Sequence, residues 1–227
     1  VGKGYRNNEF ESFCIDPAEA DARFEESLDL ILKAFTSSER FSHNGKYWRF
    51  KDIIVEPPPF QKPYPRMWMA AGSPASIAKV AERGFNLMLD QFASTEVILQ
   101  RFNLFKSEVE KRGRRFDPMS VGVCRAFYVS RNAAEKEQAI ENRLQATLRM
   151  ADLAKGGKDN KSSMMTFAET KEASEESALY GTPDEISAKI DKLRKAGVEL
   201  LLLNGPTGSR EHLRRFGRDV MPAFAGL

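Results

Sequence analysis

RMWMAAGSPASIAKVAERGFNLMLDQFASTEVILQRFNLFKSEVEKRG, residues 66–113, is the stretch that decides the fold. It contains one pattern twice, a short apolar run followed by an amphipathic helical segment. RMWMAA (66–71) and NLMLD (86–90) are nearly continuous in apolar residues, as strands buried on both faces require. The helix expected over 74–83 has Pro74 at its first position and stops at Gly84. The one expected over 94–113 aligns Ile98, Phe102, Phe105 and Val109 on a single stripe and stops at Gly113. Buried strands alternating with helices predict a parallel sheet covered by helices, an α/β fold.

The pattern extends in both directions. Downstream come a strand over SVGVCRAFYV (120–129), a helix over about 132–155, a helix over 183–197, a strand over ELLLLN (199–204) and a last helix from about 209. Thr182, Pro183 and Glu185 form a capping box for the 183–197 helix, and Gly197 closes it. Upstream, Asp16 and Pro17 start a helix whose Phe24, Leu28, Ile31 and Phe35 share one face. Asn44-Gly45 marks a hairpin within 41–55, and EPPPFQKPYP (56–65) is a proline-stiffened connector. Four strands plus an opening stub at Val1–Gly4 make about half of a (β/α)8 TIM barrel, which usually runs to about 250 residues. The expectation is therefore one domain over 1–227, the C-terminal portion of a barrel of parallel strands, incomplete in this chain. Its first residue is Val1 and not Met, and the missing strands are expected to precede it.

Composition excludes several function classes. The 227 residues carry 35 basic and 32 acidic side chains, a net charge of +3 with no concentrated basic face, so no nucleic-acid partner is expected. No apolar run approaches a membrane span and no secretory leader is present, which predicts a soluble, cytoplasmic protein. Cys14 and Cys124 lack CxxC spacing and are expected to be free and buried. His43 and His212 have no neighbouring ligands at metal-binding spacing, and no G-x-S-x-G or Walker A motif occurs. With acid, base and nucleophile candidates this sparse, the chemistry is expected to come from a cofactor, and no catalytic residue can be named.

Two places suit such a cofactor. After the 66–71 strand, the chain turns at Gly72 and enters a helix whose first turn holds Ser73 and Ser76. A helix start offers unpaired N–H groups and the positive end of the dipole, so this turn could seat a phosphate. Serine followed by proline is equally the ordinary cap of helices that bind nothing. Lys3, between Gly2 and Gly4 at an apparent strand end, could supply a counter-charge or be a solvated lysine. The polar segment 156–179 could be a mobile lid or a solvated insertion containing a short helix.

Several segments taken in order resemble the bacterial luciferase-like monooxygenase family. They are Gly2-Lys3-Gly4-Tyr5 with Glu9-Phe10, RFEESLDLILKAF (23–35), NGKYWRF (44–50), PPPFQKPYPRMWMAAGSPAS (57–76), YGTPDEI (180–186) and DVMPAF (219–224). The resemblance implies that Lys3, Gly72, Ser73 and Ser76 contact a flavin phosphate and that 156–179 is the mobile loop after the seventh barrel strand. It also implies reduced FMN as cofactor, O2 and a small organic molecule as substrates, a flavin reductase as supplier, and a homodimer or heterodimer. A deazaflavin-dependent dehydrogenase or a non-catalytic flavin-binding relative on the same scaffold stays open. The chain departs from the family at Ala20-Asp21, where many members have Ser-Arg, and so lacks a second cation there.

Overall fold

A computed structural model describes residues 1–4, 6–154, 170–205 and 210–226. The chain divides into two compact units, one holding Val1–Trp68, the other Met69–Asp152 and the described residues from Thr170 onward.

In the first unit, a short helix α1 (Asn7–Ser12) leads to a 3-10 turn at Pro17–Glu19 and then α2 (Ala20–Thr36). Asp16 caps the turn as expected, its carboxylate accepting the Ala18 N–H at 2.9 Å. The apolar face of α2 is only partly enclosed, since Leu28 is buried and Ile31 is 36% exposed. Cys14, expected in the core, is exposed. It sits at a positive φ of 52° in the turn after α1, a helix that buries none of its own residues. Val1–Gly4 forms no strand ladder; the Val1 amino group donates a hydrogen bond to the Trp68 carbonyl at 2.6 Å.

The expected hairpin forms from β1 (Phe41–Asn44) and β2 (Arg49–Ile53), antiparallel with Asn44 opposite Arg49. Four residues, Gly45 to Trp48, connect them, so Asn44-Gly45 does not make a two-residue turn. Glu26 on α2 explains the wider loop. Its carboxylate accepts the N–H groups of Tyr47 and Trp48 and lies 3.1 Å from His43 Nε2. One acidic side chain thus satisfies loop donors that a tighter turn would have paired internally.

The second unit contains a parallel sheet. Its strands are β3 (Trp68–Ala70), β4 (Asn86–Leu89), β5 (Val121–Val129), β6 (Leu179–Gly181) and β7 (Leu200–Asn204), in the order β3-β4-β5-β6, with β7 also paired to β5. Leu87 lies opposite Val121, and Gly122 opposite Leu200, so β4 and β7 both pair with the first half of β5. The second half pairs with β6, where Phe127 lies opposite Leu179. Helices α3 (Pro74–Glu82), α4 (Thr95–Lys111), α5 (Ala133–Ala154), α6 (Lys171–Glu176) and α7 (Pro183–Lys195) intervene. Among the described residues the sheet does not close into a barrel. Chain order and parallel pairing match the expectation of an incomplete (β/α)8 architecture.

Local signals locate these elements well. Gly84, Gly113 and Gly197 follow α3, α4 and α7 at φ of 71°, 71° and 93°, the left-handed caps expected of them. The α4 stripe of Ile98, Phe102, Phe105 and Val109 is fully buried. Phe127 and Val129 of β5 pack with Leu179, Ile186, Phe216 and Val220 in one core cluster. Within the polar segment 156–179, expected as a mobile lid or a solvated insertion containing a short helix, Lys171–Glu176 is helical and Leu179 begins β6. The remainder, 156–169, lies outside the described residues.

Partial burial raises the Glu26 carboxyl pKa, but the hydrogen bonds from Trp48, His43 and Tyr47 outweigh it and hold it below the ordinary carboxylate value. A lowered carboxyl pKa contributes stability that is present above the unfolded-state value and is lost as pH falls through the folded one. Glu26→Gln is therefore expected to flatten the acid limb of hairpin stability, followed by Trp48 fluorescence with Trp68 replaced by Phe. An unchanged acid limb would show that Glu26 does not anchor the hairpin.

Candidate functional site

In parallel α/β folds, ligands gather where the strands end, because the loops and helix starts there face one rim. In the second unit that rim comprises the turn after β3, Asp90 and Gln91 after β4, the middle of β5, and Asn204 at the end of β7.

The turn after β3 is built by Ser73 and Ser76. Ser73 Oγ accepts the Ser76 N–H at 3.2 Å, and Ser76 Oγ accepts the Ser73 N–H at 3.1 Å, with 2.8 Å between the two hydroxyls. This is a reciprocal capping box with Pro74 at the first helical position, the ordinary cap recognised in the sequence. Ser73, Pro74 and Ala75 are exposed, so the start of the nine-residue α3 is open to a ligand. The Ala71 N–H donates to the Met88 carbonyl at 3.4 Å, which ties the strand end to β4 just before Gly72.

Lys3 belongs to the first unit. Its ammonium lies 2.5 Å from the Asp21 carboxylate in the first turn of α2, and their side chains are 51% and 80% exposed. Asp21 thus occupies the lysine. Gly4 turns the chain after Lys3 at a φ of 80°, and a Cβ there would stand 3.3 Å from the Phe10 ring.

The structure adds a polar belt that sequence reading missed. Asp90 accepts the N–H groups of Phe92 and Ala93 and pairs with Arg101 at 2.7 Å. Arg125, in the middle of β5, is 1% exposed and donates to the Asp90 carbonyl at 3.3 Å, while its Nη2 has no hydrogen-bond partner. Burial pushes its pKa down to about 10 against the opposing pull of Asp90, so it stays charged at neutral pH. Arg143 on α5 is 9% exposed and donates to the carbonyls of Gln91 and Ser174 and to Ser177 Oγ. Burial lowers its pKa as well. Asn204 donates its amide to Gln91 Oε1 at 3.2 Å, joining the ends of β7 and β4. Cys124 is half-buried, and burial together with the Asp90 charge raises its thiol pKa, which disfavours a thiolate nucleophile. One signal was present in the sequence: Arg125 is the single charged residue inside the apolar run 120–129.

Among the described residues no helix is long and apolar enough to cross a membrane, and no three metal-ligating side chains cluster.

Comparison with known proteins gives a consistent pattern. The luciferase-like monooxygenase family model matches residues 1–200. An FMNH2-dependent dimethylsulfone monooxygenase of Pseudomonas putida is 25% identical over all of this chain, which spans 65% of that protein. The chain thus spans less than two thirds of the curated relatives it matches first. The crystal structure of the monooxygenase RslO1 from Streptomyces bottropensis superposes with a TM-score of 0.78 at 25% identity, covering 99% of this chain and 68% of that one. An F420-dependent secondary alcohol dehydrogenase shares the fold at 16% identity, with a TM-score of 0.71 over 98% of this chain and 67% of that one.

Arg143→Met removes the donors to two buried acceptors and one half-buried one and is expected to cost about 2–5 kcal/mol, read from urea unfolding. Arg218→Met, at a side chain 73% exposed, should leave the urea midpoint nearly unchanged. Equal, small effects would show that the belt does not hold the strand ends together.

Proposed function

This chain belongs to the luciferase-like monooxygenase family, and from that premise we propose that the protein uses reduced FMN and O2 to oxygenate a small organic substrate. The observation that carries the proposal is the exposed serine turn opening α3 at the C-terminal end of a parallel strand. Such a turn accepts an anion without rebuilding the backbone. The hydroxyls of Ser73 and Ser76 can rotate from each other onto phosphate oxygens, and the helix start supplies N–H donors and a favourable dipole. Gly72 carries no side chain to hinder a close approach of the ligand to the backbone. Lys3 takes the role of cationic phosphate contact by its place in the opening motif.

The fit is chemical, since hydroxyls, amides and an ammonium suit a phosphate and offer nothing to a redox metal. When bound, FMN supplies the oxygen chemistry; the protein binds it, orients it and limits water around it. Arg125 and Arg143 serve this by holding the carbonyls of Asp90 and Gln91 just after β4, so that this part of the rim keeps its shape. Reduced FMN reacts with free O2, so a flavin reductase is the fitting supplier, and a cytoplasmic location follows from that partnership.

The experiment that tests the function mixes anaerobically reduced FMN with the protein and then with O2, following flavin reoxidation at about 450 nm. Reoxidation that differs from free FMN supports the proposal. Kinetics identical to free flavin contradict it, and tight binding of F420 with none of FMN would favour the deazaflavin reading suggested by the shared dehydrogenase fold.

A second test isolates the phosphate. Ser76→Ala is expected to weaken FMN binding by about 1 kcal/mol and Lys3→Ala by about 1.5–3 kcal/mol, with much smaller effects on riboflavin. Equal losses for the two flavins would mean that these side chains act on folding and not on the phosphate.

A further inference from the structure

We infer that Asp21 is a specificity-determining residue that sets how tightly the protein holds the flavin phosphate, by competing for Lys3. The inference rests on the phosphate role proposed for Lys3. Its own observation is the 2.5 Å contact between the Lys3 ammonium and the Asp21 carboxylate. Lys3 lies between two glycines, so little local structure steers its side chain. Asp21 supplies that direction from the first turn of α2, where the helix dipole favours an anion.

A phosphate that engages Lys3 must therefore either displace Asp21 or approach beside it. Displacement sacrifices an existing ion pair, and approach places a dianion next to a carboxylate. Both weaken binding of a phosphorylated ligand, and neither affects a ligand without phosphate. Both side chains are largely solvated, which limits the effect to a modest factor. Asp21 thus lowers the preference for FMN over riboflavin that the lysine creates. The competition has the same sign whether the carboxylate moves aside or stays.

The test titrates oxidised FMN and riboflavin into the full-length protein and its Asp21→Asn, Lys3→Met and double variants, following flavin fluorescence. Asp21→Asn is expected to bind FMN roughly threefold to tenfold more tightly, with riboflavin unchanged, because it removes the competing charge and keeps the side-chain shape. The gain should disappear in the double variant. If Lys3→Met weakens FMN binding while Asp21→Asn leaves it unchanged or weakens it, the inference is overturned and the phosphate role of Lys3 stands. A gain that persists without Lys3 also overturns it. If Lys3→Met leaves the FMN to riboflavin ratio unchanged, the phosphate role and the inference fall together. Matching thermal unfolding of Asp21→Asn and the parent protein excludes a folding origin.

Discussion

Strand β5 is the constraint on which the rest of the second unit depends. It pairs with β4 and β7 through its first half and with β6 through its second. Seven of its nine residues are buried, which leaves room for little but apolar side chains. That explains VGVCRAFYV, and it makes Arg125 the exception that needs a cause. The cause lies at the end of β4: where that strand stops opposite Val123, its next carbonyl, on Asp90, loses its ladder partner, and the guanidinium of Arg125 donates to it. Arg143 does the same for Gln91 one residue later. Two buried cations thus substitute for the strand neighbour that β4 lacks beyond its end, and the loops carrying the candidate site start from fixed positions.

Much of this was legible in the sequence because its signals were local. Apolar runs, caps and helix-ending glycines fixed the positions of β4, α4, α7 and β7 to within a few residues, since each depends on backbone chemistry within one or two turns. β6 was not legible. Leu179-Tyr180-Gly181 is too short to show any periodicity, and it is a strand only because β5 extends far enough to pair with it. The four-residue hairpin loop was missed for a similar reason, as Glu26 reaches it from 21 residues away in sequence. Long-range hydrogen bonds leave no trace in local pattern.

The candidate site divides in the same way. Ser73 and Ser76 could be found from the sequence because a capping box and an anion-binding turn use the same residues at the same spacing. Asp90, Gln91, Arg125, Arg143 and Asn204 lie in four separate segments and meet only through the sheet. The significance of Asp21 was half visible. Its acidic side chain is legible in the sequence, and only the structure pairs it with Lys3.

The central claim is that the turn opening α3 is the seat of a flavin phosphate. The most direct measurement is a crystal structure of the protein soaked or grown with FMN. The account predicts the phosphate within hydrogen-bond distance of the Ser73 and Ser76 hydroxyls, with those hydroxyls rotated away from each other. FMN bound with its phosphate elsewhere, and the Ser73–Ser76 capping box intact and empty, would contradict it.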